Sequence, residues 1–127
     1  MIDMQAYLDG MSAQWQRERA ATQLTLGKLI ATLEAMPPDA EVAGLVSAHS
    51  YRGYYSDLAF KLDSKRRPAA DLLKECRAAM GQVFEGYKGG DFVMGALTPL
   101  WVANYGSCGD KLMAINPDGT ITTAKDD

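Results

Sequence analysis

Seven glycines fall between Gly86 and Gly119, and they set what the last third of this chain can become. Each glycine in a helix interior costs about 1 kcal/mol relative to alanine, so the segment reads as short strands joined by turns. The runs between the glycines fit that reading. They are Phe92-Val93-Met94, Leu100 to Tyr105, Leu112 to Ile115 and Thr120 to Thr123. Asn116-Pro117-Asp118-Gly119 is a turn signal, which makes the last two runs a hairpin.

The residues before Gly86 read differently. Met4, Leu8, Met11 and Trp15 recur at helical spacing and predict a helix over Ile2 to Ala21. Leu26, Leu29, Ile30, Leu33 and Met36 predict a second helix over Thr25 to Ala35, stopped by Pro37-Pro38-Asp39. Glu41 to Val46 reads as a strand. His49-Ser50-Tyr51-Arg52-Gly53-Tyr54-Tyr55 reads as a polar, aromatic loop. Leu58 to Leu62 alternates as a second strand. Pro68 suits the first position of a third helix, whose buried side is Leu72, Leu73, Cys76, Ala79 and Met80, with Gly81 as terminator. The expected fold is α+β, a small antiparallel sheet packed with helices. It forms one domain over residues 1–127, with 1–21 as an N-terminal helix at a subunit contact. The tail Lys125-Asp126-Asp127 is expected to fray.

A chain of 127 residues can bury a core without disulfides or metals. Its hydrophobic fraction of 47% and charged fraction of 23% are those of a globular protein. The net charge of −3 gives no general footprint for DNA or RNA, although a small anion needs only a local cluster of cations. Cys76 and Cys108 make no disulfide framework. Cys76 falls on an apolar helix face, and Cys108 sits in the predicted turn Gly106-Ser107-Cys108-Gly109. The N-terminus lacks a basic region followed by an apolar run, and no apolar stretch is long enough to span a bilayer. The expected compartment is a reducing cytoplasm, and no membrane or nucleic-acid polymer is expected as a partner.

Catalytic groupings are sparse. His49 is the only histidine, with no CxxC, HExxH or GxSxG beside it, so no metal, cofactor or enzymatic activity is expected. Asp57 and Asp91 read as solvated or hydrogen-bonded turn residues. Nine of the eleven aromatic residues lie between Tyr51 and Tyr105, several beside glycines and basic groups. Two readings stand side by side. Aromatic faces, Arg or Lys and close backbone N–H groups suit a nucleotide-like ligand. Tyr and Phe are equally good strand residues, and glycines mark turns and bulges. The basic run Lys65-Arg66-Arg67 reads as a solvated loop before a helix.

Four stretches carry a resemblance. They are Leu26-Gly27-Lys28-Leu29-Ile30 with Met36-Pro37-Pro38-Asp39-Ala40; Ser50-Tyr51-Arg52-Gly53-Tyr54-Tyr55-Ser56-Asp57-Leu58-Ala59-Phe60; Phe84-Glu85-Gly86-Tyr87-Lys88-Gly89-Gly90-Asp91-Phe92; and Trp101-Val102-Ala103-Asn104-Tyr105-Gly106. Together they resemble the first Thoeris anti-defence family of phage-encoded proteins. That resemblance implies a sponge, which binds cyclic ADP-ribose isomers in the bacterial host cytoplasm without cleaving them. It also implies a homo-oligomer, a dimer or a hexamer, and in some members a second class of cyclic oligonucleotide ligand. Tyr51, Arg52, Tyr54, Lys88, Phe92, Asn104 and Tyr105 form the candidate pool for ligand contacts. The alternative is a protein–protein interaction module with no nucleotide ligand.

Overall fold

The computed structural model describes residues 20–51, 54–85, 91–105 and 108–125. The fold is α+β. In chain order its elements are α1 (Leu26–Glu34), β1 (Glu41–Tyr51), β2 (Tyr54–Pro68) and α2 (Ala69–Ala79). Then follow β3 (Val83–Glu85), β4 (Asp91–Val93), β5 (Leu100–Tyr105), β6 (Cys108–Ile115) and β7 (Ile121–Lys125). Residues 20–22 are helical, and the rest of the expected N-terminal helix lies outside the described residues. Among the described residues no helix is long and apolar enough to cross a membrane.

The apolar stripe of α1 does what its spacing demands: Leu26, Leu29 and Leu33 are buried. Thr25 caps it, its side chain accepting from the Lys28 N–H at 3.3 Å. This satisfies one of the four N–H groups that a helix start leaves orphaned. Two more are taken up across the fold, Leu26 N–H by the Thr98 carbonyl and Gly27 N–H by that of Ala96, both at 2.9 Å. Pro68 sits one place earlier than expected, as the N-cap of α2.

The main sheet has the order β1-β2-β5-β6-β7, and β3 and β4 form a separate antiparallel ribbon. The sheet is mixed, not purely antiparallel as expected. Leu58, Ala59 and Phe60 of β2 run parallel to Leu100, Trp101 and Val102 of β5. The reason lies in the connection: a helix and a ribbon separate these strands in sequence, and a crossover of that length permits parallel pairing where a hairpin cannot. Alternation then splits the sheet's two faces. Leu58, Phe60 and Leu100 join α1 and α2 in the main core, while Ala59, Trp101 and Ala103 form a smaller cluster with Tyr51.

Three loop expectations are corrected. His49 to Tyr51 and Tyr54-Tyr55 belong to β1 and β2, which pair up to Tyr51 opposite Tyr54. Lys65-Arg66-Arg67 also lies inside β2, and Cys108-Gly109 begins β6. In each case bulges interrupt the side-chain alternation, so a long bent strand reads as a loop. The register shifts between Ser50, opposite Leu58, and Tyr51, opposite Tyr54. The hairpin at Asn116 to Gly119 forms where expected, with Asn116 N–H on the Thr120 carbonyl at 2.7 Å.

Candidate functional site

A further bulge in the β1–β2 pairing builds a concavity lined by charged and hydroxyl-bearing residues. Val42 pairs with Arg67 and Gly44 with Asp63, so Ala43 alone faces Ser64, Lys65 and Arg66. The extra residues push outward, and Ala43 turns its N–H away to the Gly119 carbonyl at 2.8 Å. This bond joins β1 to the β6–β7 turn, so the sheet curls until its last turn meets its first strand. Both glycines are required here. A Cβ on Gly44 would lie 2.1 Å from the Lys65 carbonyl oxygen, and one on Gly119, at φ +88°, 2.1 Å from that of Glu41.

Between the bulge and the start of β7 lies a groove of about 410 Å³. Gly44, Leu62, Asp63, Lys65, Arg66 and Thr120 line it. Its polar groups are partly braced. Asp63 Oδ1 accepts from the Lys65 N–H at 3.1 Å, and Arg66 Nη2 donates to the Asp118 carbonyl at 2.8 Å. The Thr120 hydroxyl donates to Asp118 Oδ1 at 2.6 Å and its N–H to the same oxygen at 3.0 Å. These two bonds, the hydroxyl's first, hold the Asp118 carboxyl below its ordinary range, helped by the nearby Arg66 charge. The groove therefore presents two cations on a braced frame, beside hydroxyl groups and a carboxylate.

The candidate pool divides around this geometry. Asn104 reaches the groove wall, where its Oδ1 accepts from the Leu62 N–H at 3.3 Å just beyond the β2–β5 pairing. Tyr51 is buried and lies flat on Trp101, with ring centroids 4.3 Å apart and planes 4° from parallel. Trp101 in turn donates Nε1–H to Asp57 Oδ2 at 2.8 Å, and both residues are fully buried. Asp57 is thus a buried strand residue, not a turn residue, while Asp91 is exposed on β4. Asn104 is three residues from Trp101 along β5, about 10 Å at the rise of a strand. Phe92, on β4, packs against the helix-side core, away from Tyr51 and Trp101. Tyr54 and Tyr105 are placed by backbone alone, at the start of β2 and the end of β5. Arg52 and Lys88 lie outside the described residues.

Sequence reasoning weighed Lys65 and Arg66 as a solvated loop and passed over Thr120. The available signal was the pairing of that basic run with Gly44 and Gly119, which meet only once the sheet curls. Fold and groove together define a small α+β domain with a basic, hydroxyl-bearing cleft at the seam of a curled sheet. No family model, no curated protein and no solved structure matches the chain.

Proposed function

We propose that the protein captures a cyclic ADP-ribose-type signal and holds it unaltered, as the resemblance to the first Thoeris anti-defence family implies. The observation that carries this reading is the bulge groove. Lys65 and Arg66 suit a pyrophosphate, since ammonium and guanidinium groups form charge-assisted bonds to phosphate oxygens. Asp63 and Thr120 suit ribose hydroxyls, and Asn104 beside Leu62 has an amide that can meet a base edge. Stacking on adenine falls to Tyr105 of the pool, which follows Asn104 at the end of β5, because Tyr51 already stacks on Trp101. The protein acts in the bacterial host cytoplasm as a homo-oligomer, with residues 1–21 at the subunit contact.

Calorimetry with cyclic ADP-ribose isomers tests this reading. Lys65 is exposed, so Lys65→Ala leaves the fold alone and isolates its role in binding. Loss of one charge-assisted contact, about 1.5–3 kcal/mol, weakens binding about ten- to hundredfold. Unchanged affinity in this variant, or no binding by the unaltered chain, rejects the proposal.

One observation favours the alternative, an interaction module with no nucleotide. Val83 and Val93 are direct partners across the β3–β4 ribbon and are 52% and 61% exposed, with Met80 and Leu97 exposed on the flanking segments. Exposed apolar groups gathered in this way are found at protein contacts. A nucleotide that binds only the folded state raises stability by about 2.7 kcal/mol at a hundredfold excess over Kd. A nucleotide panel that never moves the melting temperature selects the module.

A further inference from the structure

The two helices leave a cleft that the bulge groove does not use. The chain leaves α1 through Met36, Pro37 and Pro38, and the start of α2 is tied to that same turn. Ala69 N–H donates to the Ala40 carbonyl at 2.7 Å and Ala70 N–H to that of Pro38 at 3.1 Å. The helices are thereby fixed together at this end, and beside the turn they enclose a groove of about 400 Å³. That volume lies within the range of small-molecule sites, about 300–1,000 Å³. Leu33, Met36, Pro38 and Leu73 form its apolar surface.

Its rim is charged and unbalanced. Lys74 and Arg77 stand one turn apart on α2, and Glu34 is the only acid among the lining residues. Glu34 meets Arg77 at 3.8 Å, with both side chains more than half exposed, so the pair is loose and weak. Among the described residues Lys74 has no carboxylate at ion-pair distance. We infer that the α1–α2 groove is a binding site for an amphiphilic small molecule with an apolar body and one anionic group. The body lies on Leu33, Met36 and Leu73, and the anion sits between Lys74 and Arg77. Charge complementarity selects this occupant: a neutral apolar molecule would leave both cations unused, and a cation would be repelled. The competing explanation is that Lys74 and Arg77 only offset the negative C-terminal end of α1.

The test uses two fluorescent probes on the full chain. They are 1-anilinonaphthalene-8-sulfonate and N-phenyl-1-naphthylamine, which share an aromatic body and differ by the sulfonate. The sulfonate is expected to saturate one site per chain and to bind at least about tenfold more tightly than the neutral analogue. The exposed double variant Lys74→Glu/Arg77→Glu should weaken the sulfonate about tenfold or more and leave the neutral probe unchanged. A Leu73→Gln variant should weaken both probes. No saturable binding, equal affinities for the two probes, or a charge-reversed variant that changes only the melting temperature overturns the inference. Displacement of the sulfonate by cyclic ADP-ribose also overturns it, by assigning the groove to the nucleotide.

Discussion

Replacing Trp101 by phenylalanine should be among the most damaging conservative changes in the chain. Trp101 is fully buried and donates its indole N–H to the Asp57 carboxylate at 2.8 Å, itself fully buried. Phenylalanine keeps a ring in place but withdraws that donor. Taking the donor away from a fully buried acceptor costs about 1.5–3 kcal/mol. The smaller ring adds about 1 kcal/mol of lost burial and packing. The sum is about 2.5–4 kcal/mol, which for a domain of this size lowers Tm by about 10–15 °C. Urea denaturation of the ligand-free protein, followed by far-UV circular dichroism, measures it. Tyr51→Leu should cost less, about 1–3 kcal/mol, by removing the ring stacked on Trp101. A Trp101→Phe loss below about 0.5 kcal/mol would refute this account of the buried pair. A Tyr51→Leu variant that loses ligand affinity but no stability would make Tyr51 a binding platform and not a core residue.

Two further outcomes follow from the geometry. Gly119→Ala forces a side chain onto a backbone at φ +88° and against the Glu41 carbonyl, so it should cost about 2–4 kcal/mol in the same denaturation assay. The Cys76 thiol is pushed up from its ordinary 9 to about 12, by burial first and by the Glu75 charge second. The folded chain therefore keeps a proton that the unfolded chain releases. That contribution is complete below about pH 9 and is lost as pH rises towards 12, by about 1.4 kcal/mol per unit. Unaltered protein should show this slope over Cys76→Val, and its native thiol should resist iodoacetamide at neutral pH.

Much of the fold is legible in the sequence, and the limits have a physical cause. The α1 stripe, the Pro37-Pro38 stop, the β5 run and the Asn116 to Gly119 turn are local signals, and each appears within a residue or two. The parallel β2–β5 pairing is not local, because it depends on where a 31-residue connection from Ala69 to Pro99 returns the chain. The bulges hid the rest. Opposite Ala43, β1 and β2 lose alternation, so Lys65 and Arg66 looked like a loop when they form a groove wall. Asn104 was legible as an exposed polar residue in an apolar strand, whereas Tyr51 offered the same letters for a ligand platform as for a core stack. Only contact with Trp101 distinguishes the two.

The central claim is capture without cleavage, and recovery of the ligand tests it most directly. The protein is mixed with a small molar excess of each cyclic ADP-ribose isomer, freed of unbound ligand, then denatured, and the released material is analysed by chromatography and mass spectrometry. A sponge returns one isomer intact, in an amount that tracks the number of binding sites and does not fall with incubation time. An opened or hydrolysed product that accumulates with time, or no ligand retained from any isomer, would contradict the account.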